Sequence, residues 1–166
     1  LVNPEEGETQ VRVHNVNTGS IIEVVLPTPD KHFDYEGGAA IDGVEGTAAP
    51  ILLNFLNVGG TKTGKLLPTG NLRDTFDGIE VSCVDAAVPM VLIPAESLGK
   101  SGHESKQALD EDAQLLARIE KIRRQAGLKM GLGDVAGKVL PKVSRISRPA
   151  NGGTLTSRYF VPDNCH

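Results

Sequence analysis

The sequence predicts an α+β fold, rich in strands and carrying one helix. Three observations support this. Nineteen Gly and ten Pro among 166 residues require many turns. Short β-branched runs alternate apolar and polar positions, the pattern of half-buried strands. A single stretch, residues 108–125, repeats its apolar residues at helical spacing. The chain is 39% hydrophobic but only 4% aromatic and has no Trp, so its core must be built from Val, Ile, Leu and Ala. Its length suits one good domain or two small ones.

In chain order, residues 9–14 alternate, with Val11 and Val13 on one face and Gln10, Arg12 and His14 on the other. Asn17-Thr18-Gly19-Ser20 is a turn, residues 21–26 return as a second strand, and Pro27-Thr28-Pro29-Asp30 ends the hairpin. Residues 31–50 are polar and Gly-rich, with only Ala39-Ala40-Ile41 suited to a short strand. Residues 49–56 form the next strand. Asn57-Val58-Gly59-Gly60 then marks a domain boundary, giving units of 1–57 and 58–166. Leu66-Leu67 and residues 71–76 read as strands around Pro68-Thr69-Gly70, and Asp77-Gly78 turns into the longest apolar run of the chain, residues 79–94. A loop over 95–105 leads to the helix at 108–125, whose stripe is Leu109, Ala113, Leu116, Ile119 and Ile122, widened by Leu115. Asp110, Glu111 and Asp112 in its first turns and Lys121, Arg123 and Arg124 in its last suit the helix dipole. After a turn at 130–134, strands at 139–146 and 155–161 are joined by Pro149-Ala150-Asn151-Gly152-Gly153.

The run at 79–94 organises the rest. Interrupted by Pro89 and closed by Pro94, it reads as a buried strand with a break. Ile79, Val81 and Cys83 share a face, and Asp85 continues it. A carboxylate inside an apolar strand is costly unless something pairs with it. Either Asp85 ends the strand and caps a turn, or the break from Asp85 to Pro89 opens the sheet onto a ligand site.

Composition narrows the chemistry. With few aromatic residues there is no stacking platform for single-stranded nucleic acid, and a net charge of −4 argues against nucleic acid and anionic membranes. Two Cys far apart, without a CxxC pair, imply a reduced, cytoplasmic setting. No run has the length of a membrane span. Gly59 to Lys65 matches GxxxxGK, but Leu66 replaces the Ser or Thr that would hold magnesium and Pro68 follows where a helix is needed, so the stretch reads as a Gly-Thr-Lys linker. Gly99-Lys100-Ser101-Gly102-His103 misses GxSxG by one residue and reads as a loop. The four His residues show no zinc spacing, so no metal site is expected. Cys83 reads as a small core residue. Cys165-His166 is either a reactive pair or a chain end without a task.

Several motifs, in order, resemble the PrpF-type 2-methylaconitate isomerase family. They are Val11-Arg12-Val13-His14-Asn15-Val16-Asn17-Thr18-Gly19, Ile41-Asp42-Gly43-Val44-Glu45-Gly46-Thr47-Ala48-Ala49-Pro50, and Gly64-Lys65-Leu66-Leu67-Pro68-Thr69-Gly70-Asn71. Cys83-Val84-Asp85 with Pro89-Met90-Val91, Met130-Gly131-Leu132-Gly133-Asp134, and Arg158-Tyr159-Phe160-Val161-Pro162 with Cys165-His166 complete the set, which covers essentially the whole chain. The family includes 4-oxalomesaconate tautomerases and looks like a relative of diaminopimelate epimerase.

The resemblance implies two similar halves, each a β-roll around a central helix, with a cleft between them. It implies an isomerase that moves a proton between carbons of small unsaturated tricarboxylates, without a cofactor. The family's acid/base pair, a Lys and a Cys followed by Gly-Asn, is expected upstream of Leu1, so no catalytic residue is assigned within this chain, and neither Lys65 nor Cys83 fills the role. Leu1 is not an initiator Met and no terminal element closes the chain at His166, so the sequence reads as an interior piece. It would comprise the C-terminal part of the first half (1–57) and most of the second (58–166). Asp85 falls where the epimerase relatives place the Asn of a substrate loop. Lys142 and His166 are the other substrate-binding candidates, Lys142 against a substrate carboxylate; a solvated strand end is the alternative for Lys142. A piece cut this way is expected to expose apolar strand edges and to self-associate as a homo-oligomer. The competing function is a tricarboxylate-binding or interaction module that keeps the fold without the chemistry.

Overall fold

The computed structural model describes residues 2–16, 19–41, 44–150, 152–161 and 163–166. Asn17 and Thr18 of the first turn, Asp42 and Gly43 of the second motif, Asn151 of the last connection, Pro162 and Leu1 lie outside the described residues. The chain divides into two compact units, Leu1–Asn57 and Val58–His166.

The first unit is an antiparallel sheet in the order β1 (Gly7–Asn15), β2 (Ser20–Thr28), β3 (Leu52–Phe55). β1 pairs with β2 from Gly7↔Thr28 to Asn15↔Ser20, the expected hairpin. Its buried residues are polar: the Thr9 and Thr28 hydroxyls bond each other at 2.8 Å, and Thr28 Oγ1 donates to the Glu5 carbonyl at 2.8 Å. β3 leaves Leu52, Leu53 and Phe55 more than half exposed. The expected strand at 39–41 is reduced to one bridge, Ala39↔Ala48.

The second unit holds every buried apolar side chain of the described residues. Its five-stranded sheet runs β4 (Asp74–Phe76), β5 (Ile79–Ala86), β6 (Val88–Pro94), β7 (Lys142–Ser147), β8 (Thr156–Phe160), antiparallel except for the parallel pair β6 and β7. The crossover between that pair carries α1 (Lys106–Asp110) and α2 (Ala113–Lys129). Alternation along the strands puts Ile79, Val81, Cys83, Val91, Ile93, Val143 and Phe160 on one face, where they meet Leu115, Ile119, Ile122 and Ala126 of α2. Each such burial contributes roughly 1.5–3 kcal/mol for the larger aliphatic side chains.

Leu66-Leu67 forms no strand, and two further expectations are corrected. The run at 79–94 is not one broken strand but a tight hairpin: Asp85 pairs with Pro89, Ala86 with Val88, and Ala87 turns between them with a positive φ of 63°. The single helix at 108–125 is two, because the Asp112 side chain accepts from Leu115 N–H at 2.9 Å and caps a fresh start. Asp112 therefore precedes α2 rather than lying within it.

Candidate active site

Strand register assembles one end of the five-stranded sheet. Asp85↔Pro89 on β5 and β6 lies beside Met90↔Lys142 on β6 and β7. Val143↔Phe160 and Ser144↔Tyr159 extend the same end to β8. Beyond Phe160 the chain folds back: Phe160 bridges Cys165, Val161 N–H donates to the Asn164 carbonyl at 2.9 Å, and His166 N–H donates to the Tyr159 carbonyl at 2.8 Å. All three candidates from the sequence, Asp85, Lys142 and His166, thus share this end.

Asp85 is fully buried on the core face. Its Oδ2 accepts from Lys62 N–H at 2.8 Å, Thr63 N–H at 2.8 Å and Thr63 Oγ1 at 2.9 Å; its Oδ1 accepts from Thr61 Oγ1 at 3.0 Å. Burial pushes the carboxyl up, but these four donors outweigh it and hold the group below its ordinary value of 3.8. The backbone fastens the same loop: Asp85 N–H donates to Leu66 O at 2.9 Å, Gly60 N–H to Asp85 O at 2.7 Å and Ala87 N–H to Val58 O at 2.6 Å. Gly60 is required at the close of the loop, where φ is +77° and a Cβ would collide with the backbone of Gly64 and Lys65. The GxxxxGK stretch is therefore a loop whose amides at Lys62 and Thr63 face an internal carboxylate instead of a phosphate.

Lys142 and His166 meet through Tyr159. The Lys142 ammonium lies 4.8 Å from the Tyr159 ring centroid, and the His166 ring stacks on that ring at 4.8 Å and 10°. Among the described residues neither Lys142 nor His166 has an ion-pair partner. Arg123 of α2, itself buried, fixes the approach to Lys142 by donating to the carbonyls of Leu140 at 3.2 Å and Val135 at 2.7 Å, while Glu120 pairs with its charge at 2.6 Å. Tyr159 belongs to the motif Arg158-Tyr159-Phe160-Val161-Pro162, but nothing in the sequence gives it a place in the site. Only the β7–β8 register, invisible in composition, brings it to Lys142.

Other possibilities close. The Ser101 hydroxyl donates to Glu104 Oε1 at 3.0 Å and accepts from His103 N–H, so no imidazole activates it. Cys83 is fully buried and its thiol is pushed up to about 12, first by burial and then by the Asp74 charge. Cys165 is buried too, and burial raises its thiol; its Sγ faces the His166 carbonyl while the ring turns to Tyr159, so the two do not form a thiolate–imidazole pair. No group of three or more potential metal ligands occurs among the described residues. No helix among them is long and apolar enough to cross a membrane. A cavity of about 470 Å³ beside Pro94, Ser147 and Arg148 opens at the opposite end of β6 and β7.

The model of the family described as PrpF protein matches residues 1–164. The chain is 56% identical over 158 residues to "Putative isomerase YbhH" of Escherichia coli (strain K12), a match spanning 95% of this chain and 45% of that protein. It is 45% identical over 166 residues to "4-oxalomesaconate tautomerase" of Pseudomonas putida, 100% of this chain and 46% of the relative. The crystal structure of methylitaconate-delta-isomerase superposes with a TM-score of 0.89 at 31% identity, over 99% of this chain and 49% of the other. The chain thus spans about half the length of the curated relatives it matches.

Proposed function

Because the chain belongs to the PrpF family, we propose that it forms part of a cofactor-independent isomerase acting on small unsaturated tricarboxylates of the 2-methylaconitate or 4-oxalomesaconate type. Relatives named 4-oxalomesaconate tautomerase and 2-methyl-aconitate isomerase support the reaction class. The observation that carries it to this chain is the Lys142–Tyr159–His166 stack, two groups able to carry positive charge held on one aromatic ring. In this reading the two units are parts of two diaminopimelate epimerase-like β-rolls. Lys142 and His166 bind substrate carboxylates. Asp85 serves the site by fixing the loop beside it.

The chemistry needs little more than geometry. A proton next to a carboxylate or a conjugated alkene is weakly acidic. Its transfer needs a base, an acid and donors that stabilise the carboxylate-rich intermediate. Lys142 and His166 supply such donors. Neither buried thiol of this chain suits the base, and that observation keeps a second reading in view: a tricarboxylate-binding module without turnover.

Calorimetric titration with trans-aconitate tests the binding half. Lys142→Met and His166→Asn are each expected to weaken it about tenfold, the worth of one charge-assisted hydrogen bond. No binding by the unaltered chain, or unchanged binding by both variants, would sink the assignment. Proton exchange of a bound substrate into D2O, followed by NMR, separates isomerase from binding module.

A further inference from the structure

We propose that the loop at 60–65 is a second carboxylate-binding element of the same sheet end, presenting Lys62 and Lys65 to the substrate carboxylates that Lys142 and His166 leave unmet. This rests on the tricarboxylate reading above and adds two contact residues to it.

Three observations carry it. First, the loop is fixed before any ligand arrives. The Asp85 carboxylate gathers Thr61, Lys62 and Thr63, and Gly64 N–H donates back to Gly60 O at 2.9 Å. Such preorganisation removes ordering cost from binding. Second, both lysines are exposed, and among the described residues neither has a carboxylate within ion-pair distance. The acid beside them, Asp85, is spent on the loop itself, and Asp163 lines a crevice with Leu116 and Glu120. Third, the Gly59↔Ala86 bridge places the loop at the end of β5 that register shares with Lys142. Two strand spacings, about 10 Å, separate β5 from β7. The loop reaches that end from the helix side, through the core-face Asp85. Lys142 alternates with buried Val143 and lies on the other side, so contact with both requires a ligand seated across the end of the sheet.

Charge makes the same point. A tricarboxylate brings three negative charges, and Lys142 with His166 answers at most two. An exposed lysine without a local acid offers a solvent-screened attraction for the third.

The test titrates trans-aconitate into the whole 166-residue chain by calorimetry. Lys62→Met and Lys65→Met should leave the thermal midpoint unchanged. One or both should weaken binding about tenfold, as for one charge-assisted contact, and the salt dependence should flatten. Lys121→Met, whose lysine pairs with Asp77 at the β4–β5 turn, should bind as the unaltered chain does. If Lys142→Met weakens binding while the double Lys62→Met, Lys65→Met variant does not, the loop assignment falls and the tricarboxylate reading stands. If the unaltered chain binds no trans-aconitate, both fall.

Discussion

Replacing Asp85 by Ala removes the acceptor of four hydrogen bonds at once, and the structure sets the size of the loss. Two donors have an alternative: Thr61 Oγ1 also reaches Ala87 O at 3.1 Å, and Thr63 Oγ1 reaches Lys65 O at 3.1 Å. The amides of Lys62 and Thr63 have none. An unsatisfied buried amide costs about 1–3 kcal/mol, and partial exposure of the loop favours the lower end for each of the two, so the loss should be about 2 kcal/mol. The backbone bonds at Leu66, Gly60 and Val58 keep the loop attached and prevent a larger one. Urea unfolding at pH 7 measures the difference, and hydrogen exchange at Lys62 and Thr63 localises it. The pH dependence gives an independent check. The carboxyl is lowered on folding, so the unfolded chain binds more protons and stability rises with pH through the window. Asp85's contribution should be complete above the ordinary value of 3.8 and vanish as the pH falls through the lower folded value. A loss under about 0.5 kcal/mol at pH 7, with exchange unchanged, would refute the clamp.

Glu104→Gln should cost about 3 kcal/mol by urea unfolding, because it leaves the buried Arg145 charge uncompensated. Burial raises Glu104, but its own amide, Ser101 and Arg145 hold it at about 2, so its contribution is complete above the ordinary 4.5 and disappears as the pH falls towards 2; a pH-independent loss would contradict this. Gly102→Ala should destabilise by about 2 kcal/mol or more, since φ is +95° and a Cβ would collide with the Ser147 side chain; an unchanged thermal midpoint would count against that packing. Cys83 and Cys165 should resist a thiol reagent at pH 8 in the folded chain and react within the mixing time once unfolded in urea. Rapid native labelling at either would show that its burial is wrong.

The alternation Ile79, Val81, Cys83 and the stripe members Leu109, Leu115, Ile119 and Ile122 were legible because burial on one face imposes a period that residue order records, whereas Ala113 of the expected stripe is exposed. The hairpin at Ala87 was not. Local rules place Gly or Asn at a positive φ, whereas here Ala87 takes it, its N–H donating to Val58 O and its carbonyl lying 3.1 Å from Thr61 Oγ1. Both partners lie more than twenty residues upstream. Pro89, the obvious breaker, instead sits inside β6 opposite Asp85. The helix break at Asp112 had a readable signal in an acidic cap preceding an apolar stripe, but the same acids also suit the first turn of a longer helix.

Asp85 connects the two levels. An aspartate in an apolar strand signals either a cost met elsewhere or a group kept for a ligand, and its local sequence cannot separate these because its donors come from Thr61, Lys62 and Thr63. Once they are seen, the carboxylate is neutralised by dipoles and hydroxyls rather than by a cation. That distinction matters for the site. Had Lys62 paired with Asp85 through its ammonium, the charges would cancel at this end of the sheet. Because its amide makes the bond, the Lys62 ammonium is not spent on Asp85, as the proposed carboxylate contacts of Lys62, Lys65 and Lys142 require. The same residue can therefore be structural in its contacts and still set the charge of the site.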